Sequence, residues 1–182
     1  MDGIDERIGS VCISGHRRSR KADNDTVRYE TERIVRDPSV RQIWITASNG
    51  VPVAALKTAI TKRMAGGPKV NLIFVHNRSE YVDKTNSESA CLLEYAKFAD
   101  EIVEMGCPKR HGLVDMSFIK RRNDFLLTKC DRVVVFWSGS KKGVFRTASH
   151  TYSLVWSFTQ ENRRVDIIPI RGKDKFLDHR LR

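Results

Sequence analysis

Five short runs of branched and aromatic residues constrain this chain more than any other feature: IGSVCIS (8–14), QIWITA (42–47), VNLIFV (70–75), RVVVFW (132–137) and VDIIPI (165–170). Each is nearly continuous in its apolar character instead of alternating, which is the pattern of strands covered on both faces of a parallel sheet. Parallel strands need long crossovers, and the stretches between the runs can supply them. Val27, Thr31, Ile34 and Val35 recur at helical spacing after the first run. Val53, Leu56, Ile60 and Met64 do so after the second, and Gly66, Gly67 and Pro68 stop that helix. After the third run, Cys91, Leu92, Tyr95, Phe98, Ala99, Ile102 and Val103 form a broad stripe that predicts a helix reaching Val103, with Ser87 placed to cap its start. A helix around 118–128 and a last one marked by Ala148, Tyr152, Val155, Trp156 and Thr159 complete the series. Strict β-α alternation predicts a three-layer α/β/α sandwich with a mostly parallel sheet of about five strands. No repeat or low-complexity linker interrupts it, so one domain over 1–170 and a charged tail over 171–182 are expected.

Composition narrows the setting. The longest apolar run, Val133 to Trp137, falls far short of the roughly 20 residues that cross a bilayer, so no membrane partner is expected. The first residues, MDGIDERIGS, lack the charged-then-apolar order of a secretory signal, and a cytoplasmic protein is expected. Cys12, Cys91, Cys107 and Cys130 show no C-x-x-C pairing and read as reduced thiols, three of them in segments patterned as buried. The five histidines have no metal-ligand spacing, so neither a metal nor a cofactor is expected. The net charge of +11 is the one extreme value, and a cationic field of that size attracts phosphates, nucleic acid or anionic headgroups.

In an open α/β sheet of Rossmann-like build, ligands settle outside the carboxyl ends of the strands, near the reversal of strand order. The first strand runs into Ser14, Gly15, His16 and Arg17, the second into Ser48, Asn49 and Gly50, and the fourth into Ser138, Gly139, Ser140, Lys141, Lys142 and Gly143. Glycine lets backbone approach a phosphate, serine and backbone N–H groups donate to its oxygens, and arginine or lysine neutralises it. Strand-to-helix turns also favour Gly, Ser and Asn for turn and capping reasons, so any one loop is explained without a ligand, and only their coincidence on one edge argues for a site. Arg122 and Asn123, read as near a helix start, either reach back over that edge or belong to a basic surface.

Taken in order, the Ser14-Gly15-His16-Arg17 loop, Ala47-Ser48-Asn49-Gly50, Arg122-Asn123, and Cys130-Asp131 before VVVFW with Ser140-Lys141-Lys142-Gly143 resemble the SLOG superfamily. That group includes the lonely-guy phosphoribohydrolases and the transformation-associated DNA-processing proteins, and the small stand-alone members with a G-H-R first loop look closest. The resemblance covers most of the chain. It implies a pocket for a nucleotide or nucleotide-derived ligand, lined by the first loop, the Arg-Asn pair and the turn after the fourth strand, and it implies a homo-oligomer. The phosphoribohydrolases carry a P-G-G-x-G-T-x-x-E stretch whose glutamate assists N-glycosidic cleavage, whereas this chain reads Lys142 to Thr147 there, with Thr147 where the glutamate is expected. Pro52 also stands where many relatives place an aspartate.

Three functions follow as expectations. The first is a non-catalytic module binding a nucleotide or other phosphate-bearing small molecule. The second is a nucleosidase or nucleotide hydrolase, which would need a substitute carboxylate from Glu80, Asp83 or Asp25. The third is a nucleic-acid-binding protein, or a basic structural component of an assembly, using the +11 charge. Single-strand binding wants aromatic platforms beside the cations, and Trp44, Trp137 and Trp156 all read as core instead.

Overall fold

A computed structural model of the chain describes residues 9–16, 21–48, 50–81, 87–108, 115–139 and 150–171. The elements alternate as the apolar runs require: β1 (Ser10–Gly15), α1 (Lys21–Val35), β2 (Gln42–Ala47), α2 (Val51–Arg63), β3 (Lys69–Phe74), α3 (Ser87–Ala96), β4 (Glu101–Glu104), α4 (Met116–Lys129), β5 (Arg132–Trp137), α5 (His150–Gln160) and β6 (Arg164–Pro169). A 3-10 turn, Arg78–Tyr81, lies between β3 and α3. The sheet has six strands in the order β4-β3-β2-β1-β5-β6, and every pairing is parallel. This is a Rossmann-like three-layer sandwich. No helix among the described residues is long and apolar enough to cross a membrane.

The sheet has one strand more than expected because the predicted helix through Val103 stops at Ala96. Lys97, Phe98 and Ala99 turn the chain with short-range bonds, and the Asp100 N–H then donates to the Val70 carbonyl at 2.7 Å, which sets β4 against β3. The Asp100 carboxylate takes the Val70 N–H at 2.9 Å and pairs with Arg63 at the end of α2. Ile102 stands beside Leu72 in the resulting register. A branched Ile-Val pair suits a pleated edge better than a helix end, and the same apolar spacing fits both until the neighbouring strand is known.

Alternation along each strand sends residues to two separate cores. Val11, Ile13, Ile43, Ile45, Val134 and Phe136 face α1, α2 and α3, meeting Val27, Ile34, Leu56, Ile60 and Leu92. Cys12, Trp44, Ile73, Val133, Val135 and Trp137 face α4 and α5, meeting Leu126, Leu154 and Phe158. Trp44 and Trp137 are buried as expected. Trp156 is not: it is 55% exposed, because α5 turns Thr151, Leu154 and Phe158 inward and leaves Trp156 on the opposite side of the helix.

All four cysteines are free thiols. Burial pushes the Cys12 thiol up to about 12 and the Cys130 thiol well above its usual value. The thiolate is the reactive form, so native protein at pH about 8 should react with a disulfide reagent chiefly at half-buried Cys91, with Cys12 and Cys130 protected until unfolding. Peptide mapping of the labelled protein checks this, and early labelling of Cys12 would contradict it.

The carboxyls of Asp100 and Glu104 are held below the usual carboxylate range by the guanidinium groups of Arg63 and Arg78. Folding lowers these pKa values, so the stabilisation is present above the unfolded values of about 4 and is lost as pH falls through the folded ones. Urea midpoints are expected to hold at mild acidity and to drop below pH about 4. Asp100→Asn should lower the midpoint at neutral pH and shrink that acid-dependent loss; an unchanged acid limb would separate the ion pair from it.

Candidate functional site

β1 and β5 are neighbours in the sheet, yet the chain leaving β1 turns toward β2 and the chain leaving β5 turns toward β6. The strand order therefore reverses between them, and the carboxyl ends of such a pair are where open α/β sheets form a ligand crevice. Gly15 and Phe136 stand side by side at those ends. His16 then ties three segments together. Its N–H donates to the Phe136 carbonyl at 3.2 Å, and its carbonyl accepts the Val51 N–H from α2 at 3.1 Å. Its Nε2 accepts the Ser138 N–H at 3.0 Å, with the Ser138 hydroxyl 2.7 Å from the same nitrogen. A ring nitrogen that accepts an amide N–H carries no proton, so neutral His16 has its proton on Nδ1.

Gly15 is required by close approach. A Cβ there would sit 2.5 Å from the Val51 Cγ1 and 3.0 Å from the Phe136 carbonyl oxygen. Gly15→Ala should therefore cost about 1–3 kcal/mol by forcing α2 away from β1. Chemical denaturation measures this, and a neutral result would show that α2 moves freely. Gly139, at φ 84 just after Ser138, has nothing among the described residues within 4 Å of the corresponding position, so its backbone conformation and not close packing favours glycine there.

Arg122 and Asn123 lie in the middle of α4, not at its start, and both are buried, at 4% and 0% exposure. α4 begins at the carboxyl edge of the sheet with Asp115 as its cap, accepting the Ser117 N–H at 2.8 Å. Arg122 donates through Nε and Nη2 to Asn123 Oδ1, at 3.1 and 2.7 Å, and through Nη2 to the carbonyl of His150, the first residue of α5, at 3.3 Å. Asn123 Nδ2 donates to the Ser153 and Ser157 hydroxyls of α5 at 3.0 and 3.2 Å. Among the described residues no carboxylate pairs with Arg122, and burial alone lowers its guanidinium to about 10. A guanidinium at that value is still charged at neutral pH, so the site holds a desolvated positive charge whose partners among the described residues are neutral.

The helix N-termini at this edge are unequal. The Gly50 N–H at the head of α2 is taken by the Glu88 carboxylate at 3.1 Å, and Glu88 also sits in the first turn of α3. α1 has Asp23 in its first turn, where it accepts the Arg171 N–H at 3.1 Å. α5 has no acidic residue in its first turn and instead has Arg122 beneath it. Among the described residues, carboxylates thus stand at the starts of α1, α2, α3 and α4, whereas the first turn of α5 carries none.

Of the residues singled out in sequence, Ser14, Gly15, His16, Gly50, Ser138 and Gly139 come together where β1, β2 and β5 end. Ser14 is buried beneath them and accepts the Thr46 hydroxyl at 2.8 Å, and Ser48 is half-buried just past β2. Arg17, Asn49, Ser140, Lys141, Lys142, Gly143 and Thr147 lie outside the described residues, as do Asp83 and the tail from 172. Asp25 is an exposed partner of Arg28 on α1, and Glu80 belongs to the 3-10 turn. Glu88, Ser153 and Ser157 were not singled out. Only the i, i+4 spacing of the two serines on one helix face could have drawn attention to them. Among the described residues no group of His, Cys, Asp and Glu could hold a metal ion.

No family model matches the chain, and no curated protein is significantly similar to it. The geometry therefore carries the functional argument.

Proposed function

We propose that this chain is a binding module for a nucleotide or another phosphate-bearing small molecule, held at the carboxyl edge of the sheet where β1 and β5 part, in the manner of the SLOG superfamily that its loops resemble. The observation that carries this reading is Arg122, a buried cation with no carboxylate partner among the described residues, whose Nη2 donates to the His150 carbonyl at the start of α5. A buried charge without a counter-charge is costly, and a site that keeps one gains most when an anion arrives. The His16 brace holds the ends of β1 and β5 in register.

The test is calorimetric titration of the purified protein with AMP, ADP and inorganic phosphate at low ionic strength. Saturable binding of a nucleotide at one site per chain is expected, with a rise in melting temperature set by mass action. Absence of any binding at millimolar concentrations would refute the reading. The nucleic-acid alternative gains one specific feature, since exposed Trp156 offers the aromatic surface that such a protein needs. Contacts of that kind would show as steeply salt-dependent binding of single-stranded DNA that weakens in Trp156→Ala.

A further inference from the structure

Asn123 is saturated. Its Oδ1 receives two donors from Arg122 and its Nδ2 gives both protons to Ser153 and Ser157, so nothing on this fully buried side chain is left to touch a ligand. The Arg122 guanidinium, by contrast, uses Nε and Nη2 and makes no bond from Nη1 among the described residues. A buried guanidinium is normally met by a carboxylate, whose two oxygens fit its fork. Here an amide occupies that position. It supplies the acceptor that orients the guanidinium while leaving the charge whole.

We propose that Asn123 is a positioning residue that orients Arg122 without neutralising it, so that the cation is reserved for the anionic group of the bound ligand. This rests on the phosphate-binding reading above and adds to it the device that sets the site's preference for anions. The serines fit the same purpose. Ser157 donates its hydroxyl proton to the Ser153 carbonyl at 3.0 Å, which turns its lone pairs toward Asn123 Nδ2 and selects the amide orientation in which Oδ1 faces Arg122.

Asn123→Asp changes charge with almost no change in shape, and serine hydroxyls can turn to donate to the new oxygen. A carboxylate there would pair with Arg122 inside the protein and compete with the ligand. Using AMP as the probe and calorimetry as the readout, N123D is expected to bind at least about tenfold more weakly than wild type while melting at the same temperature or higher. Asn123→Ala leaves the charge whole but loosens it. It should melt lower than N123D yet bind AMP better than N123D does. A merely structural role makes affinity follow stability, giving the reverse order for the two variants, and that result overturns the proposal.

Should N123D fail to fold, chemical rescue of N123A decides the matter. Acetamide in the vacated space should restore AMP affinity, whereas acetate should not, after correction for its effect on wild type. Equal rescue by both overturns the proposal. Wild-type protein that binds neither AMP nor inorganic phosphate refutes the functional reading itself, whereas wild-type binding with N123D equal to it refutes only the role of Asn123.

Discussion

Arg122→Met is expected to weaken AMP binding about ten- to hundredfold, the loss of a charge-assisted bond to a phosphate, while leaving the folded protein as stable as before or more so. The two halves of that outcome have one cause. Arg122 is almost fully buried with an amide and a carbonyl for partners, so its burial is a standing cost that an apolar side chain of similar length removes. Replacement of a buried charged group by well-packed apolar atoms is often neutral or stabilising by about 1–4 kcal/mol, offset here by the donors that Asn123 Oδ1 loses. Calorimetry with AMP and a urea titration on the same preparation measure both halves. Weaker folding together with undiminished AMP binding would show that Arg122 holds α4 to α5 and does not meet the ligand.

Trp44→Ala should cost about 3–5 kcal/mol in folding free energy, a large part of the 5–15 kcal/mol that stabilises a domain. Trp44 is fully buried at the centre of the sheet and packs edge-on against Phe125 of α4, with ring centroids 5.2 Å apart. Removing it opens a void where β2 supports α4, the helix that carries the Arg122 and Asn123 pair. Its indole N–H is buried with no hydrogen-bond partner among the described residues, so Trp44→Phe gives up some volume but also removes an unsatisfied donor. That variant should recover most of the loss. Urea denaturation with the slope monitored would show it, and a Phe variant as unstable as the Ala variant would mean that ring area, not the donor, governs the position.

The elements that were legible before any coordinates were the ones whose signal is local. QIWITA and RVVVFW are β2 and β5 residue for residue, because a short apolar run between turn signals has few other places to go in a domain of this size. The run of Leu92, Phe98 and Ile102 misled for the same reason. Helical spacing holds across it, but whether Glu101–Glu104 coils or pairs depends on the open edge of β3, which lies about thirty residues away in sequence. Trp156 misled in another way: on α5 an apolar residue faces inward only if the helix is rotated to bury it, and the buried set is Thr151, Leu154 and Phe158.

The site divides along the same line. Sequence alone determined that Ser14, Gly15, His16, Ser138 and Gly139 would stand at strand ends, since strands and turns are written in nearby residues, and that the chain would be strongly basic. Only the tertiary structure decided that β1 and β5 are neighbours, that His16 braces the two, that Glu88 already answers the head of α2, and that Arg122 is buried with no carboxylate partner among the described residues. Each of those depends on which residues from distant parts of the chain share a few ångströms. That is fixed by how parallel strands and their crossover helices pack, and no local run of residues encodes it.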